Sequence, residues 1–176
     1  MESEVRSTIE EALATAKKIF GVEDVSVEVK EDPSHIIPET GVGGYTPDSH
    51  TIFVYYDSHN DNFKKNLRDE IKSTVMHEFH HAIRNRVYKW YDDTLLGAMV
   101  TEGLADHFDR EVNGGEPKAW SIALSDAELE RVKEIAAQEF NSREYNHNDW
   151  FFGSEERGIP RWAGYSIGFK IESATT

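Results

Sequence analysis

The spacing of apolar residues changes period several times along the chain. Val5, Ile9, Ala12 or Leu13, Ala16 and Ile19/Phe20 recur three to four apart, which predicts an amphipathic helix over Glu2 to Phe20, closed by Gly21. Val25, Val27 and Val29 then alternate with Ser26, Glu28 and Lys30, the period of a half-buried strand. Pro33, Pro38, Gly41, Gly43 and Gly44 mark a loop, and the β-branched and aromatic run Thr51 to Tyr56 predicts a second strand. A long helical pattern follows from about Asn62 to Tyr88, with Phe63, Leu67, Ile71 and Val75 on one stripe. A further helix is predicted from Thr94 to Val112, stopped by Asn113-Gly114-Gly115. Ser125-Asp126-Ala127-Glu128 has the form of a capping box opening a helix to about Phe140. Residues 141–158 are polar, aromatic and turn-rich without a clear period, and Pro160 is suited to position N1 of a last helix through Gly164, Tyr165 and Gly168. With no repeat, low-complexity tract or linker, the pattern implies one α+β domain over residues 1–176.

Composition narrows the class. A chain of 176 residues, 38% hydrophobic and 30% charged, has the balance of a globular domain able to bury its own core. No apolar run approaches the ~20 residues that cross a bilayer. The acidic start Met1-Glu2-Ser3-Glu4 lacks the basic and apolar regions of a secretory signal, so a cytoplasmic location is expected. The absence of cysteine removes disulfides, thiolate metal sites and cysteine nucleophiles. A formal charge of −14 argues against nucleic acid or an anionic membrane as partner, since both select Lys/Arg patches, and is in keeping with a soluble chain.

The chemistry concentrates in His77-Glu78-Phe79-His80-His81. On an α-helix, residues four apart differ by ~40° of rotation and ~6 Å of rise, so His77 and His81 can reach one ion from the same face. Zinc accepts imidazole nitrogen at ~2.0–2.1 Å, and a catalytic site needs three protein ligands and one open position. Glu78 is then placed to act as general base, assisting attack of zinc-bound water on a carbonyl. His80 is turned about 100° away and reads as a packing or supporting histidine. The residues after His81, Ala82 to Val87, lack the Gly and distal His of the metzincin extension. The next helix offers Glu102, 21 residues after His81, amid Leu95, Leu96, Met99, Val100 and Leu104. A carboxylate in that company needs a partner, and a short connection around Trp90 to Asp93 would let Glu102 complete a His-His-Glu set. Asp106, one turn on, reads equally as a surface carboxylate or as the acceptor that orients a ligand imidazole.

His77-Glu78-x-x-His81 followed by Glu102-Gly103-x-Ala105 and Asp106 resembles the gluzincins, the thermolysin-type branch of the zincin metallopeptidases. More closely, Gly43-Gly44-Tyr45-Thr46, His77-Glu78-Phe79-His80-His81, Glu102-Gly103-Leu104-Ala105 and Gly164-Tyr165-x-x-Gly168 are similar to a group of predicted zinc-dependent proteases of unknown function. That resemblance spans about Gly43 to Phe169. It implies a zincin-like single domain, a small antiparallel or mixed sheet with an active-site helix and a following ligand helix, one Zn2+, and a peptide or protein substrate. The chain ends at Thr176, soon after the Tyr165 segment, so the last element is expected to be short or truncated.

An oxyanion donor would complete a peptidase, and Tyr165 is the first candidate, with His147 and Arg161 behind it. Tyr165 also reads as a core tyrosine with a satisfied hydroxyl. Gly43 and Gly44 read as a plain turn, with close approach of an extended substrate as the alternative. His107 is expected to face solvent, and His35, His50 and His59 to sit in loops. Trp90, Trp120, Trp150 and Trp162 are expected in the core or at a pocket rim. Two rival functions stay open: a catalytically inactive zincin-fold protein whose structural or regulatory zinc serves a binding module, and a metal-free acidic interaction domain.

Overall fold

The computed structural model describes residues 1–88 and 94–173. They fall into two compact units, Met1–Val87 with Glu111–Asn113, and Tyr88–Arg110 with Gly114–Thr176. Among the described residues the fold is α+β, with six helices and one three-stranded mixed sheet. No helix of the described residues is long and apolar enough to cross a membrane.

The first unit opens with α1 (Glu2–Phe20), which buries Val5, Ile9, Ala12 and Ala16. Gly21 ends it at φ 66°, its N–H donating to the Lys17 carbonyl, a left-handed position that costs glycine least. The sheet follows as β1 (Ser26–Glu31), β2 (Val42–Tyr45) and β3 (Thr51–Tyr56), in the order β1-β3-β2. β3 is central, parallel to β1 and antiparallel to β2. Its alternation puts Ile52, Val54 and Tyr56 into the core. β2 corrects the sequence reading, in which Gly43-Gly44 was a turn. These residues pair with Tyr55 and Val54 because β3 would otherwise present an unpaired edge. Gly43 has no room for a side chain there, since a Cβ would come within 2.1 Å of the His35 carbonyl oxygen.

α2 (Asp61–Val87) carries the motif. Asn60 caps its start, its side-chain oxygen accepting from the N–H groups of Asn62 and Phe63. The expected stripe Phe63, Leu67, Ile71 and Val75 is buried throughout. The helix is not continuous as the pattern implied: Asn66 leaves helical geometry at φ −121°, ψ 20°, so the motif lies in the segment after this break. Arg68 donates to Glu11 at 2.5 Å and ties α2 to α1. Near the other end Arg86 donates to Asp24 at 2.7 Å and, by that bond, holds the Asp24 pKa below its ordinary value.

The second unit contains α3 (Leu95–Asn113) as far as Arg110, with α4 (Asp126–Ala137), α5 (His147–Phe152) and α6 (Ala163–Ser173). Thr94 caps α3, its hydroxyl accepting from the Gly97 N–H at 3.1 Å. The capping box of α4 forms as predicted, with Ser125 and Glu128 bonding reciprocally. The α4 helix stops at Ala137, short of the expected Phe140. α5 was hidden in the aperiodic stretch because six residues are too few to show a period. It forms because Asn146 caps it at 3.0 Å and Trp150 and Phe151 enter the core. Pro160 does not occupy N1 of α6. Ile159 exchanges both main-chain hydrogen bonds with Ser154, which keeps the chain extended into Pro160, and Trp162 at φ 67° makes the turn into the helix. The core of this unit gathers Leu95, Met99, Val132, Trp150, Phe151 and Ile167. Gly168 permits backbone contact between α6 and α3: a Cβ on it would sit 1.9 Å from the Met99 carbonyl oxygen. Trp90, the connection expected from Trp90 to Asp93, and Thr176 lie outside the described residues.

Candidate metal centre

α2 brings His77 and His81 together as the four-residue spacing requires. Their Nε2 atoms are 3.0 Å apart and their rings are nearly perpendicular, at 86°. Two nitrogens bound to one tetrahedral zinc at ~2.0–2.1 Å would be separated by about 3.3–3.4 Å, so the pair fits a shared ion after a small adjustment. His77 is half-buried and His81 buried. Glu78, between them, is 7% exposed, although it lies on the helix that bears the polar motif.

What stabilises Glu78 comes from β2 and the residue just beyond it. Thr46 Oγ1 lies 2.7 Å from Glu78 Oε2 and 3.0 Å from the Glu78 main-chain oxygen. Gly44, exposed on the strand, leaves the space in which the carboxylate lies. Residues 46 and 78 are 32 apart, and no spacing rule connects them. The Thr46 contact was therefore not readable from the sequence, although the Gly-Gly-Tyr-Thr segment was singled out there. His80 is half-buried, its ring 6.4 Å from that of His81 at 66°.

In the second unit Glu102 and Asp106 are both buried on α3, at 5% and 4% exposure. Asp106 is therefore not a surface carboxylate. It accepts from Trp120 Nε1 at 3.1 Å on one oxygen and from Ser121 Oγ at 2.6 Å on the other. Sequence reading found neither partner, because both lie in a turn without periodicity. His107, expected to face solvent, is half-buried and packed. Its ring stacks on Phe169 at 4.1 Å and 3°, and its Nε2–H donates to the Phe169 carbonyl at 2.9 Å. His35, His50 and His59 sit in loops as expected, and are exposed beside Asp32, Asp24 and Asp57.

Tyr165 and His147 meet on Phe151. Tyr165 is half-buried and approaches that ring edge-on at 5.0 Å and 84°. His147, the first residue of α5, stacks over it at 4.2 Å and 16°. Loss of hydration on the stacked face holds the His147 pKa below its ordinary value, opposed by the negative charge of Glu102. Arg161 lies 4.1 Å over the Trp162 ring, a cation–π contact. Trp150 is fully buried, and Trp120 and Trp162 are half-buried and pack edge to face.

A family model described as "Predicted Zn-dependent protease" matches residues 5–175. No curated protein and no solved structure matches the chain.

Proposed function

The chain belongs to the predicted Zn-dependent protease family, and on that premise we propose that it is a zinc metallopeptidase of the gluzincin type, with a zincin-like fold and Glu78 as general base. The observation that carries the reading is the convergence of two imidazole nitrogens, His77 Nε2 and His81 Nε2, at 3.0 Å with a buried glutamate between them in sequence. In this reading His77, His81 and Glu102 would each offer one ligand atom to the metal. Two nitrogens and one carboxylate oxygen are the donor set that leaves tetrahedral zinc a fourth position, and the absence of cysteine makes imidazole and carboxylate the available donors. When bound, zinc supplies acidification of a water and polarisation of a peptide carbonyl.

The chain's own residues do the rest. Glu78 takes a proton from the attacking water at a carboxylate oxygen and returns it to the leaving amine. Tyr165 is the candidate donor to the carbonyl oxygen as negative charge develops there. His147 is the second, supported by its shared packing on Phe151 and by its electrostatic interaction with Glu102. Gly44 and Tyr45 end an outer strand and are exposed, which supports main-chain pairing with an extended peptide beside Glu78.

The test is metal analysis of tag-free protein with turnover on a fluorescence-quenched peptide library. About one zinc per chain is expected, and Glu78→Gln should keep the zinc while losing about 10²–10⁴ in rate. A Glu78→Gln protein as active as the parent removes Glu78 from the mechanism. Zinc retained by a parent chain with no turnover across the library points instead to a binding module.

A further inference from the structure

A threonine at the end of a strand commonly donates to a nearby carbonyl, and Thr46 does so at 3.0 Å from the Glu78 main-chain oxygen. Its second contact is shorter. The 2.7 Å separation from Glu78 Oε2 is that of a hydroxyl donating to a carboxylate. One hydroxyl proton serves both acceptors, which draws the side chain of Glu78 back toward its own main chain. Both residues are buried, Thr46 at 5% and Glu78 at 7% exposure, so water competes little for this bond.

The other oxygen of the carboxylate is bordered by Gly44. A Cβ added there would lie 2.5 Å from Glu78 Oε1 and 2.5 Å from its Cγ. Thr46 meets Oε2 and Gly44 lies beside Oε1, so the two residues border different oxygens of one carboxylate. No other described side chain hydrogen-bonds to the Glu78 carboxylate.

We infer that Thr46 is a positioning residue for Glu78, with the bare backbone of Gly44 as the floor of the slot. The Thr46 hydroxyl donates to Oε2, so Oε1 is the oxygen left to take up and return a proton. The inference rests on the reading of Glu78 as general base. It explains why the contacting hydroxyl is threonine: branching at Cβ restricts χ1 and holds the donor in one direction. A Thr46 that only tied β2 to α2 would need the carbonyl contact and not the shorter carboxylate one.

The decisive measurement uses the zinc-loaded full chain in four forms beside the parent: Thr46→Val, Thr46→Ser, Gly44→Ala and Glu78→Gln. Crystal structures and zinc content are obtained for each, with kcat and KM on a library peptide. Zinc per chain should be unchanged in all. The Glu78 carboxylate should occupy one conformer in the parent and in Thr46→Ser, and be displaced or divided in Thr46→Val. Gly44→Ala, which leaves the hydroxyl untouched, should displace it by a clash at Oε1. In Thr46→Val kcat should fall about ten-fold at unchanged KM, with serine restoring it to within about three-fold. A Thr46→Val protein whose Glu78 carboxylate keeps the parent position overturns the inference, as does one with the parent kcat. Glu78→Gln losing turnover while Thr46→Val does not sinks this inference alone. Turnover retained in Glu78→Gln sinks the general-base reading, and the structural arm still decides whether Thr46 holds the carboxylate.

Discussion

Two glutamates among the described residues are buried where glutamate is seldom found, and each is accommodated by different chemistry. Glu78 has the Thr46 hydroxyl and a glycine wall. Glu102 lies on α3 one turn before Asp106, whose own carboxylate is satisfied by Trp120 and Ser121. As a proposed metal ligand Glu102 should matter chiefly to binding: Glu102→Ala is expected to drop zinc content well below one per chain after dialysis. Zinc retained at the parent level would remove Glu102 from the donor set. Glycine is equally specific at residue 168. A methyl group there would sit 1.9 Å from the Met99 carbonyl oxygen, so Gly168→Ala must push α6 away from α3. The expected loss is about 1–3 kcal/mol, read as a lowered urea midpoint. This contact also accounts for the Gly164-Tyr165-x-x-Gly168 segment, since a Cβ on Gly164 would likewise meet the Phe151 ring at 2.7 Å.

At the scale of elements, local chemistry and tertiary demand can be told apart. α1, β3 and the start of α4 form where their own residues direct, through a periodic stripe, a β-branched run and a capping box. In the capping box, bonds from the Ser125 hydroxyl and main-chain N–H hold Glu128 below the ordinary carboxylate range. Ser125→Ala should therefore raise the Glu128 pKa in a carboxyl NMR titration and cost about 1 kcal/mol of stability. Because the folded pKa is depressed, the Glu128 contribution is present above the ordinary carboxylate pKa and is lost as pH falls through the folded value. An unmoved Glu128 titration in the variant would show that the box does not form in solution. β2 and α5 are of the other kind. β2 exists because β3 has an edge to pair, and α5 because Asn146 caps a six-residue turn whose Trp150 and Phe151 fill a core.

For the whole molecule, the proposed zinc is linked to stability by mass action. A chain that binds the ion only when folded gains about 2.7 kcal/mol at a free zinc concentration one hundred times the dissociation constant. Chelation should therefore lower Tm by several degrees, and zinc alone should restore it. An unchanged Tm after verified removal of the metal would show that the ion contributes nothing to the fold. The net charge of −14 adds a second dependence, since self-repulsion weakens as salt screens it.

The sequence by itself determined whatever depends on neighbours within a few residues: the helical stripe of Phe63, Leu67, Ile71 and Val75, the strand Thr51–Tyr56, and the placing of His77 and His81 on one helical face. Such features follow from the rise and rotation of a single element, and so can be read as spacing. The family was legible for the same reason, because its motifs are short and contiguous. Only the tertiary structure decided that Gly43 and Gly44 belong to a strand, that His107 is stacked and hydrogen-bonded, and that Asp106 is satisfied by Trp120 and Ser121. It also decided that Thr46 bonds Glu78, 32 residues away. These contacts arise when separate elements pack. Their partners are selected by burial and by the need to satisfy each buried polar atom, conditions that no local spacing encodes.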